Sequence, residues 1–370
     1  MRLFRNKPEG SSRIALAEVE YTEATNRPLT EMNTMRKQLL PALLSTLLAA
    51  LVAVGCGDST TEETASVTVY SGRSEALIGP LLERFEASSG IVVEVRYGST
   101  SEMTATLLEE GENTPADLFI SQDAAALGAL SGAGMLHAPD PEVLGRVSDR
   151  FRSSSDDWIG ISGRARVVVY NTDQIGPEEL PQSLWDVGNP QYKGRFGVAP
   201  GNGSFQAHMA AVSAIAGPEK LADWLLAVVE NDAQTYSNNS SIVNAVLAGE
   251  IDWGLVNHYY LWRAKSEDPS VPGANFFMPG GDISGFINVA GAGLLSDSQP
   301  AAQLLDYLLS ADAQTYFAEE TYEYPLIEGV SASVDLLPLD EMPTPEINFA
   351  EVSSSLVSAL EAISASGLLP

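Results

Sequence analysis

From Val67 onward the chain alternates short apolar runs with segments of helical periodicity, and this alternation limits what it can fold into. "VTVY" leads into Leu77, Ile78, Leu81, Leu82 and Phe85 at helical spacing, and Gly90 stops that helix. "IVVEV", a helix through Met103, Leu107 and Leu108, the strand "ADLFI" and the helix "SQDAAALGALSGAG" follow. Strand–helix–strand order predicts a parallel sheet with helices on its faces. The pattern restarts at "RFGVAP" and runs through "GSFQAHMAAVSAIAG", "EKLADWLLAVVEN" and "SSIVNAVLAGE" to "IDWGLV" and "NHYYLWRAK". Between the two units, "WIGISGRARVVVYN" reads as a long strand joining them, and "GFINVAGAGLL" as the return. The expectation is an α/β fold of two lobes, each a mostly parallel sheet flanked by helices, with a hinge and a central cleft.

The folded body is expected to start at residue 66. Residues 1–31 resemble no targeting region and read as an upstream extension, with Met32 or Met35 as the true start. Residues 32–55 read as a lipoprotein signal peptide: Arg36 and Lys37 precede an apolar run from Leu39 to Val54, and "AVGC" makes Cys56 the lipidated residue. Residues 56–65 form a polar tether. Lobe 1 is assigned to 66–163 plus about 290–340, and lobe 2 to 164–289 plus about 341–370.

Cys56 is the single cysteine, so no internal disulfide framework exists. The net charge of −29 argues against a nucleic-acid partner, because phosphate backbones need a basic surface. There is no G-x-S-x-G elbow, H-E-x-x-H, P-loop or G-x-G-x-x-G after the first strand, which disfavours an enzyme.

The polar clusters "YSGRS", "ISQD", "APGNGS" and "VNHYY" each end an apolar strand-like run. Ligands of open α/β sheets bind in the crevice outside such strand ends. Tyr259 and Tyr260 would point to opposite faces on a strand. In the first turn of a helix, with Asn257 as N-cap, they stand ~100° apart and both phenols can meet one ion. A phenol ionises near pH ~10, but a highly charged cation deprotonates such a ligand, and ferric ion suits anionic oxygen. Taken alone, such a pair is usually half-buried packing. "APGNGSF" offers backbone N–H groups at a helix start, either an anion site or an ordinary cap. Arg164 and Arg166 share one face of a strand, as anion ligands or surface charges. Seven of the 20 Lys and Arg lie before Cys56, so Arg73 at a strand end is a scarce cation and a candidate anion ligand. His258 reads as structural or surface.

From "VTVYSGR" to "EYPLIEGV" the chain resembles the bacterial periplasmic ferric-iron-binding proteins of ABC transporters. The landmarks are "TVYSGRS", "PADLFISQDAAALGALSGAG", "ISGRARVVVYN", "GRFGVAPGNGSF", "SNNSSIVNAVLAGEIDWGLVNHYYLW", "GAGLL" and "EYPL". The resemblance implies Tyr259 and Tyr260 as Fe³⁺ ligands. It implies a synergistic anion, carbonate or phosphate, on Asn202, Gly203, Ser204, Asn239 and Asn257, helped by Arg73, Arg164 or Arg166. It also implies an inner-membrane permease with its ATPase as partner, and a monomeric receptor in the periplasm or cell envelope. Ser74 stands where one family pattern has His, and Gln122 where it has Glu; with Asp123, these are additional cleft residues. The third tyrosine of other members has no counterpart, because the chain reads "NGSFQ" there. The alternative is a solute-binding protein of the same fold for a polyamine, thiamine or an organic anion, with the tyrosines caging an organic ligand.

Overall fold

The computed structural model describes residues 64–332, 336–339, 341–342, 344–345 and 347–369. The expected upstream extension, signal peptide, lipidated Cys56 and nearly all of the tether therefore lie outside the described residues. Among the described residues no helix is long and apolar enough to cross a membrane.

The first unit runs β1 (Ser66–Ser71), α1 (Glu75–Ser89), β2 (Val92–Tyr97), α2 (Thr100–Glu110), β3 (Leu118–Ser121), α3 (Ala124–Gly132) and the single turn α4 (Pro141–Leu144). β1 lies between β2 and β3, parallel to both. Val67 and Val69 of β1 are fully buried, as are Ile78 and Leu81 of α1, so the helical spacing read from the sequence is the face that covers the sheet. Gly90 ends α1 at φ +74°, where its N–H reaches Glu86 O at 2.9 Å; only glycine enters that left-handed conformation without strain.

β4 (Ile159–Asn171) is buried along all 13 residues. The second unit then runs β5 (Phe196–Val198), α5 (Gly203–Ala216), α6 (Pro218–Glu230), β6 (Gln234–Thr235), α7 (Asn239–Leu247), β7 (Trp253–Asn257), α8 (Tyr259–Glu267) and β8 (Gly273–Phe276). β9 (Ile287–Leu294), α9 (Gln299–Leu308), α10 (Ala311–Glu319) and α11 (Phe349–Ser366) complete the chain.

The strand order is β2-β1-β3-β9-β4-β7-β5-β6, with β8 also on β4. The expected parallel pairing holds for β1 with its neighbours and for β5 with β6 and β7. The middle is antiparallel: β9 pairs with β3 and β4, and β4 with β7 and β8. β4 carries the chain out of the first unit and β9 brings it back, so the two crossing strands must run in opposite directions.

β4 changes partner within one residue. Ile159 to Ala165 pair with β9, and Arg166 to Tyr170 pair with β7. Arg164 and Arg166 thus straddle the junction of the two halves. Past it, the faces of β4 separate two cores: Val168 and Tyr170 join the large one, while Val167 and Val169 join a smaller one with Ile242, Val246, Val256 and Leu261. α7 seats closely on β7 because residue 254 is glycine; a Cβ there would collide with the Ile242 side chain. The C-terminal α11 packs on α5, α6 and α3, and Phe349 at its start meets Trp158 edge-on, ring centroids 5.8 Å apart.

Candidate functional site

β7 ends at Asn257 and the chain turns directly into α8, whose first two residues are Tyr259 and Tyr260. The helix fixes both rings on its first turn, with centroids 4.4 Å apart and planes 28° apart. Tyr259 is 3% exposed; Tyr260 is half-buried and rests on the smaller core. Burial first, then the charge of and hydrogen bonding to Tyr259, push the Tyr260 phenol upward, against the opposing pull of Arg164 and Arg263. An unliganded Tyr260 therefore keeps its proton, and a cation must displace it.

The helix cap differs from expectation. His258, not Asn257, holds the N-cap position of α8, and it provides no side-chain cap. The Asn257 side chain instead accepts from Arg166 Nη1 at 3.0 Å. β7 remains paired through Asn257, so its side chain projects from the sheet rather than over the helix end. His258 is structural. Its Nδ1 accepts from the Ala165 N–H at 3.2 Å, so Nε2 carries the proton and donates to Tyr322 O at 2.7 Å.

Arg166 gathers the starts of three helices. Its Nη1 donates to Ser204 Oγ (3.2 Å) at the start of α5, to Asn239 Oδ1 (3.1 Å) at the start of α7 and to Asn257 Oδ1 before α8. Asn202 caps α5, its Oδ1 accepting from the Ser204 N–H at 3.1 Å. Gly203 follows in open space, where a Cβ would meet nothing within 4 Å. Through Arg166 and the Asn202 cap, Asn202, Gly203, Ser204, Asn239 and Asn257 lie together where α5, α7 and α8 begin.

Arg164 and Arg166 are 3% and 1% exposed, so neither is a surface charge. Arg164 donates to the main-chain O of Gln122, linking β4 to the end of β3. Gln122 Oε1 is buried without a partner. Asp123 caps α3, its carboxylate accepting from the Ala126 N–H at 3.0 Å. Ser74 is exposed at the start of α1 with no side-chain cap bond. Arg73 turns elsewhere: fully buried, it grips both carboxylate oxygens of Glu323 (2.9 and 3.1 Å) and reaches Ser162 Oγ at 3.4 Å. The acid that engages it lies 250 residues away, so no local signal in the sequence pairs the two.

Among the described residues no group of three or more His, Cys, Asp or Glu is arranged to hold a metal. His208 in α5 is fully buried, with Nε2 2.9 Å from Ile283 O. Burial, reinforced by Arg166, pulls His208 down to about 3, and burial pulls His258 down to about 4. Both rings stay neutral in the fold, whereas an unfolded imidazole protonates near pH ~6.5. Folded values below the unfolded one mean stability is lost as pH falls from about 6.5 toward 4. The urea midpoint of the metal-free protein should be flat above pH ~7.5 and decline over that window, with uptake of up to about two protons on unfolding.

Residues 113–352 match the family described as bacterial extracellular solute-binding protein. The chain belongs to that family. Its members bind and carry solutes rather than transform them, so this solute-binding protein is not an enzyme. It is 29% identical over 329 residues to the Fe(3+)-binding periplasmic protein of Serratia marcescens, covering 87% of this chain and 96% of that one. It is 30% identical over 315 residues to the major ferric iron-binding protein of Neisseria meningitidis serogroup A, covering 83% and 93%. Among solved structures, iron-bound HitA from Pseudomonas aeruginosa aligns with a TM-score of 0.76 at 31% identity, over 82% of this chain and 99% of that one. The Trichodesmium IdiA (FutA) protein in complex with iron and citrate aligns at 0.73 and 28%, over 82% and 99%. These likenesses span both halves of the fold.

Proposed function

We propose that this chain is the extracytoplasmic receptor of an iron(III) ABC importer. It captures Fe³⁺ between the phenolate oxygens of Tyr259 and Tyr260 together with a synergistic anion, carbonate or phosphate. It then delivers the ion to an inner-membrane permease driven by its ATPase. The observation that carries this reading is the pair of phenols on the first turn of α8 beside Arg166, a buried cation that enters no salt bridge among the described residues. That combination suits a trivalent cation accompanied by an anion. The names of the relatives from Serratia and Neisseria support it.

Two phenolates neutralise two of the three charges, and the anion with water supplies the rest. Gln122, with its unpartnered Oε1, is the protein group best disposed to add an oxygen, since Asp123 is committed to the α3 cap. Gly203, Ser204, Asn202, Asn239 and Asn257 form the anion side. The lobes follow the boundary near 163/164, which the change of β4 partner after Ala165 supports, and the cleft closes over the cargo by a hinge. Lipidation at Cys56 would hold a monomeric receptor at the envelope. Release would follow protonation of a phenolate, loss of the anion or reduction of the iron.

The test is to strip the protein of metal, add ferric iron with carbonate or phosphate, and record the visible spectrum. A tyrosinate-to-iron charge-transfer band is expected. Its absence with every anion tried would discard the iron reading in favour of an organic ligand held by the same tyrosines.

A further inference from the structure

α8 begins where a strand ladder breaks off, and one side chain closes the gap. The His258 N–H donates to Ala165 O at 3.0 Å, as in a hydrogen-bonded antiparallel pair. Such a pair also sends the Ala165 N–H to the carbonyl of residue 258. Here His258 already has helical backbone angles, φ −56° and ψ −38°, and its carbonyl accepts from Asn275 Nδ2 at 2.9 Å instead. The imidazole stands in for that carbonyl: Nδ1 accepts the Ala165 N–H at 3.2 Å. Ala165 is the last β4 residue paired with β9, and β7 takes over at Arg166, so this joint sits where the two halves meet.

The other edge of the ring reaches the segment that follows α10. His258 Nε2 donates to Tyr322 O at 2.7 Å, and the Tyr324 ring lies against the imidazole, centroids 4.7 Å apart. Tyr322 presents that carbonyl from a left-handed backbone, φ +58°. Among the described residues the other non-glycine residues in this region are Asp156 and Asp232, a type that tolerates it better than a bulky ring. A strained conformation persists only where its surroundings over-determine it. Here they do so on both sides. Thr321 Oγ1 donates to Phe317 O (2.8 Å), and Arg73 grips the Glu323 carboxylate. Tyr324 exchanges two main-chain bonds with Gly163 of β4 (2.8 and 2.9 Å). The acceptor for His258 is a fixed point.

Resting on the iron-receptor reading of this site, we propose that His258 is a positioning residue for the paired phenols. Its ring pins the first turn of α8 to Ala165 and Tyr322, and Tyr259 and Tyr260 follow it directly in the chain. Under the lobe division given above, Tyr322 belongs to lobe 1 and the tyrosines to lobe 2. The pin holds the phenols at the pivot, so closure brings the facing wall to them while their own geometry stays set.

Two substitutions separate the two edges of the ring. His258→Asn keeps an acceptor near the Nδ1 position and loses the donor to Tyr322, whereas His258→Gln places an amide donor near the Nε2 position. Ferric iron with phosphate is titrated into both and into wild type while the charge-transfer band is followed. Hydrogen exchange of the α8 amides is measured on the metal-free proteins. His258→Asn is expected to bind iron at least about ten-fold more weakly, the loss typical of an outer partner of a metal ligand, with a shifted band and faster α8 exchange. His258→Gln is expected to recover most of both. Should His258→Asn fail to fold, Asn275→Ala, which removes only the bond to the His258 carbonyl, is expected to move exchange and affinity in the same direction, and no change there overturns the proposal. A folded His258→Asn with wild-type band, affinity and exchange also overturns it. So does an equal loss in both His258 variants, which would mean that the ring only fills space. If wild type shows no iron band with any anion, faster α8 exchange confined to His258→Asn would leave the pin standing and discard iron as the cargo, while unchanged exchange would discard both.

Discussion

Tyr259→Phe and Tyr260→Phe are each expected to lower ferric affinity by at least about a hundred-fold, beyond the usual cost of losing an outer-shell partner. Phe keeps the ring, so the stack at 4.4 Å and the seat of residue 260 on the smaller core survive. Only the oxygen is lost. Folding stability should therefore move little while the charge-transfer band weakens in each single variant and vanishes in the double one. A pH series adds an independent check. Each phenol that binds as phenolate releases a proton, so affinity should rise by up to about a hundred-fold per pH unit while both remain protonated in the free protein. A titration of the double variant with wild-type strength would sink the assignment.

Glu323→Gln is expected to cost about 3–5 kcal/mol of stability, because it leaves Arg73 charged and buried without its acid. The pair is 0% and 1% exposed and is completed by Ser162 Oγ, 2.6 Å from Glu323 Oε2. Burial opposes ionisation of Glu323, but Arg73, Arg164 and the Ser162 hydroxyl together outweigh it and hold the carboxyl below its ordinary value. A depressed folded value gives stability that is present above the unfolded carboxylate range and is lost as pH falls through the folded value. Thermal melts of Glu323→Gln should show a lower Tm at neutral pH and a smaller further loss in acid than wild type. Replacing both partners, Arg73→Met with Glu323→Leu, should recover most of the stability. A single variant that melts like wild type would mean the pair contributes nothing.

Much of this was legible in the sequence because it depends on periodicity and strand ends. The helical face of α1, the β4 crossing and the paired tyrosines opening a helix follow from spacings of two to four residues. What was not legible depends on distance. Arg73 at a strand end and Arg164 and Arg166 along one strand face were all candidate anion ligands, yet Arg73 meets Glu323, Arg164 a main-chain oxygen and Arg166 only neutral groups. "EYPL" was visible as a landmark, but nothing nearby marked its first residue as the acid for Arg73. Asn257 looked like a cap because it precedes a helix, and the sequence did not reveal that Arg166 would claim its oxygen.

The C-terminal helix has a mechanical consequence. α11 lies on α5, whose first turn borders the anion residues, and on α3, which starts just after Gln122. Its touch on α3 is close: a Cβ on Gly128 would come within 2.6 Å of Ser353 Oγ. The helix is thus a crossbeam resting on two levers whose other ends border the residues proposed to hold iron and its anion. Tilting either lever shears the Gly128–Ser353 bearing, which has no slack for an added methyl. Val357, 67% exposed on the same beam, is then where a fluorescent label would report whether filling the proposed site shifts the helix.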